Sequence, residues 1–170
     1  LEPAVRVPLM IRIPGIGKDY MLIKEPVSQV DLLPTLLDAM GVKTACKLDG
    51  ETLMPVIVGG ENTELRDVFI EWTGDEGERQ WFKVNTDENL VKRIQEVYGA
   101  SVRTVITQDG WKLCLQTAGE HELYDLNKDM FESKNLYGDE KYKSKFEELK
   151  QKIVDWQNRT GDKVMEIKIH

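Results

Sequence analysis

At 170 residues, with 23 lysines and arginines against 30 aspartates and glutamates, the chain carries a net charge of −7. That balance argues against nucleic acid as a partner, because phosphate recognition wants a basic face. The 41% apolar content suits one or two packed domains, the recurring aromatic residues exclude global disorder, and no apolar run is long enough for a membrane span.

Residues 7–13 (Val-Pro-Leu-Met-Ile-Arg-Ile) read as a strand closed by Pro14-Gly15. No hairpin partner follows, and the chain opens on Leu1. Both features predict a sequence entered partway through an α/β fold. Residues 20–23 read as a second short strand. Ser28 and Asp31 have capping-box spacing, with Asp in place of the usual Glu. Leu32, Leu33, Leu36, Leu37 and Met40 then form an apolar helical face, predicted to pack in the core. Pro34 suits a first turn, so a short turn at 29–33 should lead into a helix running from Pro34 to Gly41. Asp49-Gly50 and Gly59-Gly60 read as turns, and residues 53–58 as a short helix.

A second region begins near Arg66. Residues 68–72 read as a strand. Residues 73–88 are acidic and polar, predicted to form a long loop anchored by Trp81 and Phe82. Leu90, Ile94 and Val97 mark a helix over 88–98. Residues 102–107 are β-branched, and Asp109-Gly110 is a hairpin turn pair. Trp111, Leu113 and Leu115 alternate with Lys112, Cys114 and Gln116, the period of a half-buried strand. After a turn at Gly119, residues 121–126 read as another strand, for four antiparallel strands in all. Tyr142, Phe146, Leu149, Ile153 and Trp156 place a helix over 141–159 that should cover one sheet face. Its charges nearly cancel, with Glu148 and Lys152 at i,i+4, so its lysines read as a solvated face. The predicted division is 1–65 and 66–170.

Motifs of catalysis are sparse. Gly15-Ile16-Gly17-Lys18 lacks phosphate-loop spacing. Asp125-Leu126-Asn127-Lys128-Asp129 opens like a calcium loop, but Met130 and Leu136 stand where Gly and Glu are needed; a side-chain-stabilised turn is the better reading. Cys46 and Cys114 have no zinc spacing, and His121 and His170 are too few for a histidine-rich metal site. No serine or cysteine has an elbow-like setting. His121 reads as a strand-edge or hydrogen-bonding residue. Glu71 and Trp72, at a strand end, are more suggestive, since such positions feed functional loops. On the residues alone, no active site assembles.

Several segments together resemble one family. They are Arg6-Val7-Pro8-Leu9-Met10-Ile11 with Pro14-Gly15, Pro26-Val27-Ser28-Gln29-Val30-Asp31-Leu32-Leu33-Pro34-Thr35-Leu36-Leu37 and Asp49-Gly50, followed by Val102-Arg103-Thr104-Val105, Gly110-Trp111-Lys112-Leu113, Glu122-Leu123-Tyr124-Asp125-Leu126 and 129–136. In this order they resemble the C-terminal half of the sulfatases of the alkaline phosphatase superfamily, with Met130 where proline is usual. The resemblance implies an α/β (α+β) chain: the end of an alkaline-phosphatase-like α/β domain, then a four-stranded antiparallel sheet packed against a C-terminal helix. It implies a parent enzyme that hydrolyses sulfate esters through formylglycine and calcium, at a periplasmic or secreted location. Neither Cys46 nor Cys114 lies in the C/S-x-P-x-R context from which formylglycine is made. The expected catalytic and metal residues in this chain are therefore none. Its expected partners are an N-terminal part of the same polypeptide and, in the parent, a sulfated carbohydrate or aryl substrate; alone it should be inactive. Arg6, Glu71, Trp72, Trp81 and His121 are the expected residues beside, rather than in, the reacting centre. Trp72 or Trp81 could stack on a sugar or aryl ring. The alternatives are a related phosphonate or phosphate-ester hydrolase, and a stand-alone carbohydrate-binding module.

Overall fold

The computed structural model describes residues 2–16, 20–59, 65–74 and 87–163. They divide into two units, Leu1–Val68 and Phe69–His170. Trp81, Phe82, Gly17, Lys18, Gly60 and His170 lie outside the described residues.

The first unit carries a short helix α1 (Glu2–Val5), a 3-10 turn (Gln29–Asp31), helix α2 (Leu32–Ala39) and helix α3 (Met54–Ile57). Pro34 lies in the first turn of α2, where its missing N–H breaks no intrahelical bond. The expected capping box does not form, because the Ser28 side chain makes no capping hydrogen bond. Nor do residues 7–13 or 20–23 form strands. Val7, Leu9 and Ile11 are exposed, and Met10 is 97% exposed. The reason is physical: a strand is completed by a neighbour's N–H and C=O groups, and the described part of 2–59 contains no strand to pair with.

The predicted core face of α2 is also corrected. Leu33, Leu36 and Met40 are exposed, while Asp31 and Thr35 are buried. Polar bonds join this unit instead. The Thr35 hydroxyl donates to the Asp31 carbonyl at 2.6 Å and accepts from the Leu53 N–H at 2.8 Å. The Asp31 carboxylate accepts from the Glu51 N–H at 2.9 Å and pairs with Arg66, whose other nitrogen lies 3.1 Å from Glu51. Gly50 permits this. A Cβ there would come within 2.0 Å of the Val30 carbonyl oxygen, so close backbone approach, rather than a turn, is what requires glycine.

The second unit is built on strands β1 (Val68–Trp72), β2 (Val102–Ile106), β3 (Trp111–Gln116) and β4 (Glu122–Asp125). They form one antiparallel sheet in the order β1-β2-β3-β4. Val105 opposes Leu113, and Leu113 opposes Leu123, so the alternating apolar residues share a face. Helix α5 (Lys143–Thr160) lays Phe146, Leu149 and Ile153 onto that face. Burial of such side chains contributes roughly 1.5–3 kcal/mol each. Phe69 of β1 stacks on Trp156 of α5 at 5.4 Å. A 3-10 turn (Glu140–Tyr142) capped by Asp139 leads into α5, and Gly161 in the left-handed region ends it. On the helix surface Glu148 pairs with Lys145 at 2.8 Å.

The other sheet face is polar yet largely covered. Lys112 is 2% exposed and its ammonium lies 2.6 Å from the equally buried Glu132 carboxylate. Glu132 takes a left-handed φ of 55° to reach it, a conformation that costs a non-glycine residue energy. The Thr104 hydroxyl donates to the Cys114 sulfur at 3.3 Å. Residues 125–129 form the expected side-chain-stabilised turn: the Asp125 carbonyl accepts from the N–H groups of Lys128 and Asp129, and the Asp129 carboxylate accepts from Lys134. Helix α4 (Glu88–Gly99), capped by the Asp87 side chain, completes the unit.

Candidate functional site

Among the described residues, each unit has a recess. That of the first unit, about 540 Å³, is lined by apolar residues including Pro34, Leu37 and Val56 and by Asp31, Asp38 and Arg66. Its polar groups engage one another: Asp31 with Arg66, and Asp38 with the Thr52 hydroxyl at 2.8 Å. They serve the packing described above.

At one end of the second unit's sheet β1 ends, β2 begins, β3 ends and β4 begins. Gly74 meets the last turn of α4 here so closely that a Cβ would come within 1.8 Å of the Gly99 carbonyl oxygen. Its N–H also donates to the Ser101 hydroxyl at 3.3 Å. Arg103, 1% exposed, holds this corner. Its guanidinium forks onto Asp162 at 2.6 and 2.9 Å and donates to the Trp72 carbonyl at 3.0 Å. The Asp162 hydrogen bond, opposed by burial, raises the Arg103 pKa; the nearby Glu71 carboxylate adds to it. The clamp therefore keeps its positive charge throughout the physiological range.

Beside it, the cleft between α4 and the β3–β4 hairpin holds about 440 Å³ and is lined by Arg93, Val97, Gln116, Glu120 and Glu122. Arg93 pairs with Glu120 across its rim. The Gln116 side-chain oxygen is buried and accepts no hydrogen bond among the described residues. The Gln116 N–H donates to His121 Nδ1 at 3.2 Å, which ties the hairpin ends together. His121 is 3% exposed and sits edge-on to Tyr137, with ring centroids 5.2 Å apart. Its hydrogen-bonding role is as expected; a position at the exposed strand edge is not.

Of the five residues singled out in the sequence, Glu71, Trp72 and His121 come to this end of the sheet. Arg6 is an exposed residue of the first unit, and Trp81 is among the residues not described. Trp72 is 61% exposed. Phe69 faces α5, so alternation along β1 puts Trp72 on the opposite face, the one that also carries Gln116 and Glu122. Arg93, Gln116, Glu120 and Glu122 were not picked out from sequence. The Gly119 turn was the available signal, since it fixes which residues of the two strands become neighbours.

Neither Cys114 nor Tyr124 is primed to react. Burial pushes the Cys114 thiol up, away from the reactive thiolate. Burial, then Glu122, pushes the Tyr124 phenol up to about 12, so it stays protonated. Among the described residues no group of three or more His, Cys, Asp and Glu is placed to hold a metal ion. The donors that the described residues present therefore do not fit a calcium ion, and neither cysteine lies in the sequence context from which formylglycine is made.

Solved structures that superpose on this chain, with its four-stranded antiparallel sheet and C-terminal helix, include sulfatases. The chain belongs to the N-sulphoglucosamine sulphohydrolase C-terminal family, whose model matches residues 1–159. It is 27% identical over 171 residues to a delta 4,5-hexuronate-2-O-sulfatase of Bacteroides thetaiotaomicron, covering 99% of this chain and 32% of that protein. A crystal structure described as a sulfatase from the same organism superposes with a TM-score of 0.69 at 26% identity, over 92% of this chain and 30% of that one. The phosphonate monoester hydrolase of Agrobacterium radiobacter gives 0.54 at 25% identity, over 76% of this chain and 24% of that one. The chain thus spans less than a third of the length of each.

Proposed function

We propose that this chain is the C-terminal region of an enzyme that hydrolyses sulfate esters of carbohydrate or aryl substrates. In this reading it completes the fold and shapes the substrate pocket, and is inactive alone. The observation that carries it is the family match over residues 1–159. The exposed apolar residues of the first unit, from Val7 through Leu36 to Met40, support it: an N-terminal part of the same polypeptide would cover them. Formylglycine and calcium belong, in this reading, to that other part, where they would supply the nucleophile and the charge stabilisation of the sulfuryl oxygens. Residues 1–65 would close the large α/β domain, and 66–170 form the smaller subdomain. A periplasmic or secreted location accompanies the family reading.

The test is to assay the longer polypeptide this reading calls for beside the 170-residue chain, each with an aryl sulfate and an aryl phosphonate monoester. Sulfate turnover by the longer protein and none by the chain is expected. Turnover by the chain alone would overturn the proposal. The likeness to a phosphonate monoester hydrolase supports a second reading, as a phosphonate or phosphate-ester hydrolase of the same superfamily; faster turnover of the phosphonate than of the sulfate would favour it.

A further inference from the structure

We propose that the open edge of β1 is a docking site for this chain's own residues 164–170, which add to it as a fifth, antiparallel strand. The inference concerns the sheet alone and does not rest on the hydrolytic reading. Residues 164–170 lie outside the described residues; their sequence, and the point at which the chain reaches them, carry the assignment. β1 is the outer strand of the sheet and bonds to β2 on one side. Among the described residues no strand pairs with its other side, where alternate N–H and C=O groups of Phe69–Trp72 point. An unpaired edge is a template for a further strand, and proteins usually cover it. The opposite edge of this sheet is covered. Along β4 the Leu123 N–H donates to the Asn135 side chain at 2.9 Å, and the Leu123 carbonyl accepts from the Leu136 N–H at 2.9 Å.

Helix α5 delivers the chain to the uncovered edge. At its start Tyr142 packs on Trp111 of β3, with ring centroids 5.8 Å apart, and near its end Trp156 stacks on Phe69 of β1. Gly161 then stops the helix. Arg103 forks onto Asp162 while donating to the Trp72 carbonyl, so the last anchored residue is tied to the Trp72 end of β1. Lys163 alone links it to the segment. The sequence that follows suits the edge. Met165, Ile167 and Ile169 alternate with Glu166, Lys168 and His170, the period of a strand with one covered face, and neither Gly nor Pro interrupts them. At about 3.3 Å per residue, residues 164–170 reach roughly 23 Å, enough to run the length of the five-residue β1. A strand that starts beside Trp72 and runs toward Phe69 is antiparallel to β1. Phe69 and Trp156 are only half-buried at the border of the core. With Met165, Ile167 and Ile169 on the α5 side, the added strand would cover that stack and extend the core.

The test is amide hydrogen exchange, read by NMR on the isotope-labelled 170-residue chain, on a chain ending at Lys163, and on Ile167→Pro, which removes a ladder donor. Alternate amides of 164–170 should be protected in the unaltered chain. The β1 amides that face away from β2 should lose protection about tenfold or more in both variants, while those of β3 keep theirs. If the shortened chain loses protection in β3 as well, Ile167→Pro decides. The proposal is overturned if residues 164–170 exchange as an open chain, or if β1 is equally protected in the unaltered chain and in Ile167→Pro. It is overturned too if the protection of β1 falls on dilution, which would assign the edge to a second copy of the chain.

Discussion

The two units differ in what their apolar residues do. In Leu1–Val68 the buried positions include Asp31 and Thr35, and the exposed ones include Met10, Leu33, Leu36 and Met40. In Phe69–His170 the leucines, valines and isoleucines of β2, β3, β4 and α5 form the core. A hydrophobic core is non-directional and tolerant, whereas a network of single hydrogen bonds needs each partner in place. The second unit has the means to be stable by itself; the first leaves most of its apolar surface unused.

The largest expected effect breaks the second unit from its polar side. Lys112→Ala leaves Glu132 buried without its cation and should cost roughly 3–5 kcal/mol in chemical denaturation followed by near-UV circular dichroism. Leu149→Ala attacks the apolar side. With Leu149 fully buried, a loss of roughly 2–5 kcal/mol is expected from the same measurement. If Lys112→Ala proved the milder of the two by a wide margin, the polar face would count as solvated and the contrast between its two faces would weaken.

A smaller effect probes the first unit. Asp31→Ala removes the acceptor of the Glu51 N–H and the partner of Arg66, at a cost of roughly 1–3 kcal/mol. Hydrogen exchange should then accelerate in residues 29–53 while the amides of β2 and β3 keep their protection. Loss of protection in β3 as well would show the units to be one cooperative body.

The smallest effect is acid-dependent. The Thr107 hydroxyl lowers the Asp109 pKa, and backbone donors at Ser133 and Lys134 lower that of Asp129. A carboxylate depressed in the folded state stabilises above its ordinary range and loses that contribution as pH falls through the folded value. Thermal midpoints should therefore decline below the usual carboxylate range, slightly less steeply in Asp129→Asn.

Most of the second unit was legible because its signals are local. Asp109-Gly110, the alternation from Trp111 to Gln116 and the helical spacing from Phe146 to Trp156 each specify an element without help from elsewhere. The first unit was less so. Val7–Ile13 has strand composition, but strand formation depends on a partner edge more than on propensity. The α2 leucines have helical spacing, yet spacing states which residues share a face, not that something covers it. For the site, Glu71, Trp72 and His121 were visible as strand-end residues. Gln116 and Glu122 were hidden in an ordinary alternating pattern, and only the approach of α4 gives them a common cleft.

The contact of Gly74 with Gly99 has a consequence for how this sequence can vary. The backbone at Gly74 and at Gly99 meets at nearly one point, so this excursion of the chain begins and ends at fixed positions. Lengthening such an excursion adds little closure entropy and leaves the strand register alone. Insertions and deletions between these two positions should therefore leave the fold of the sheet unchanged.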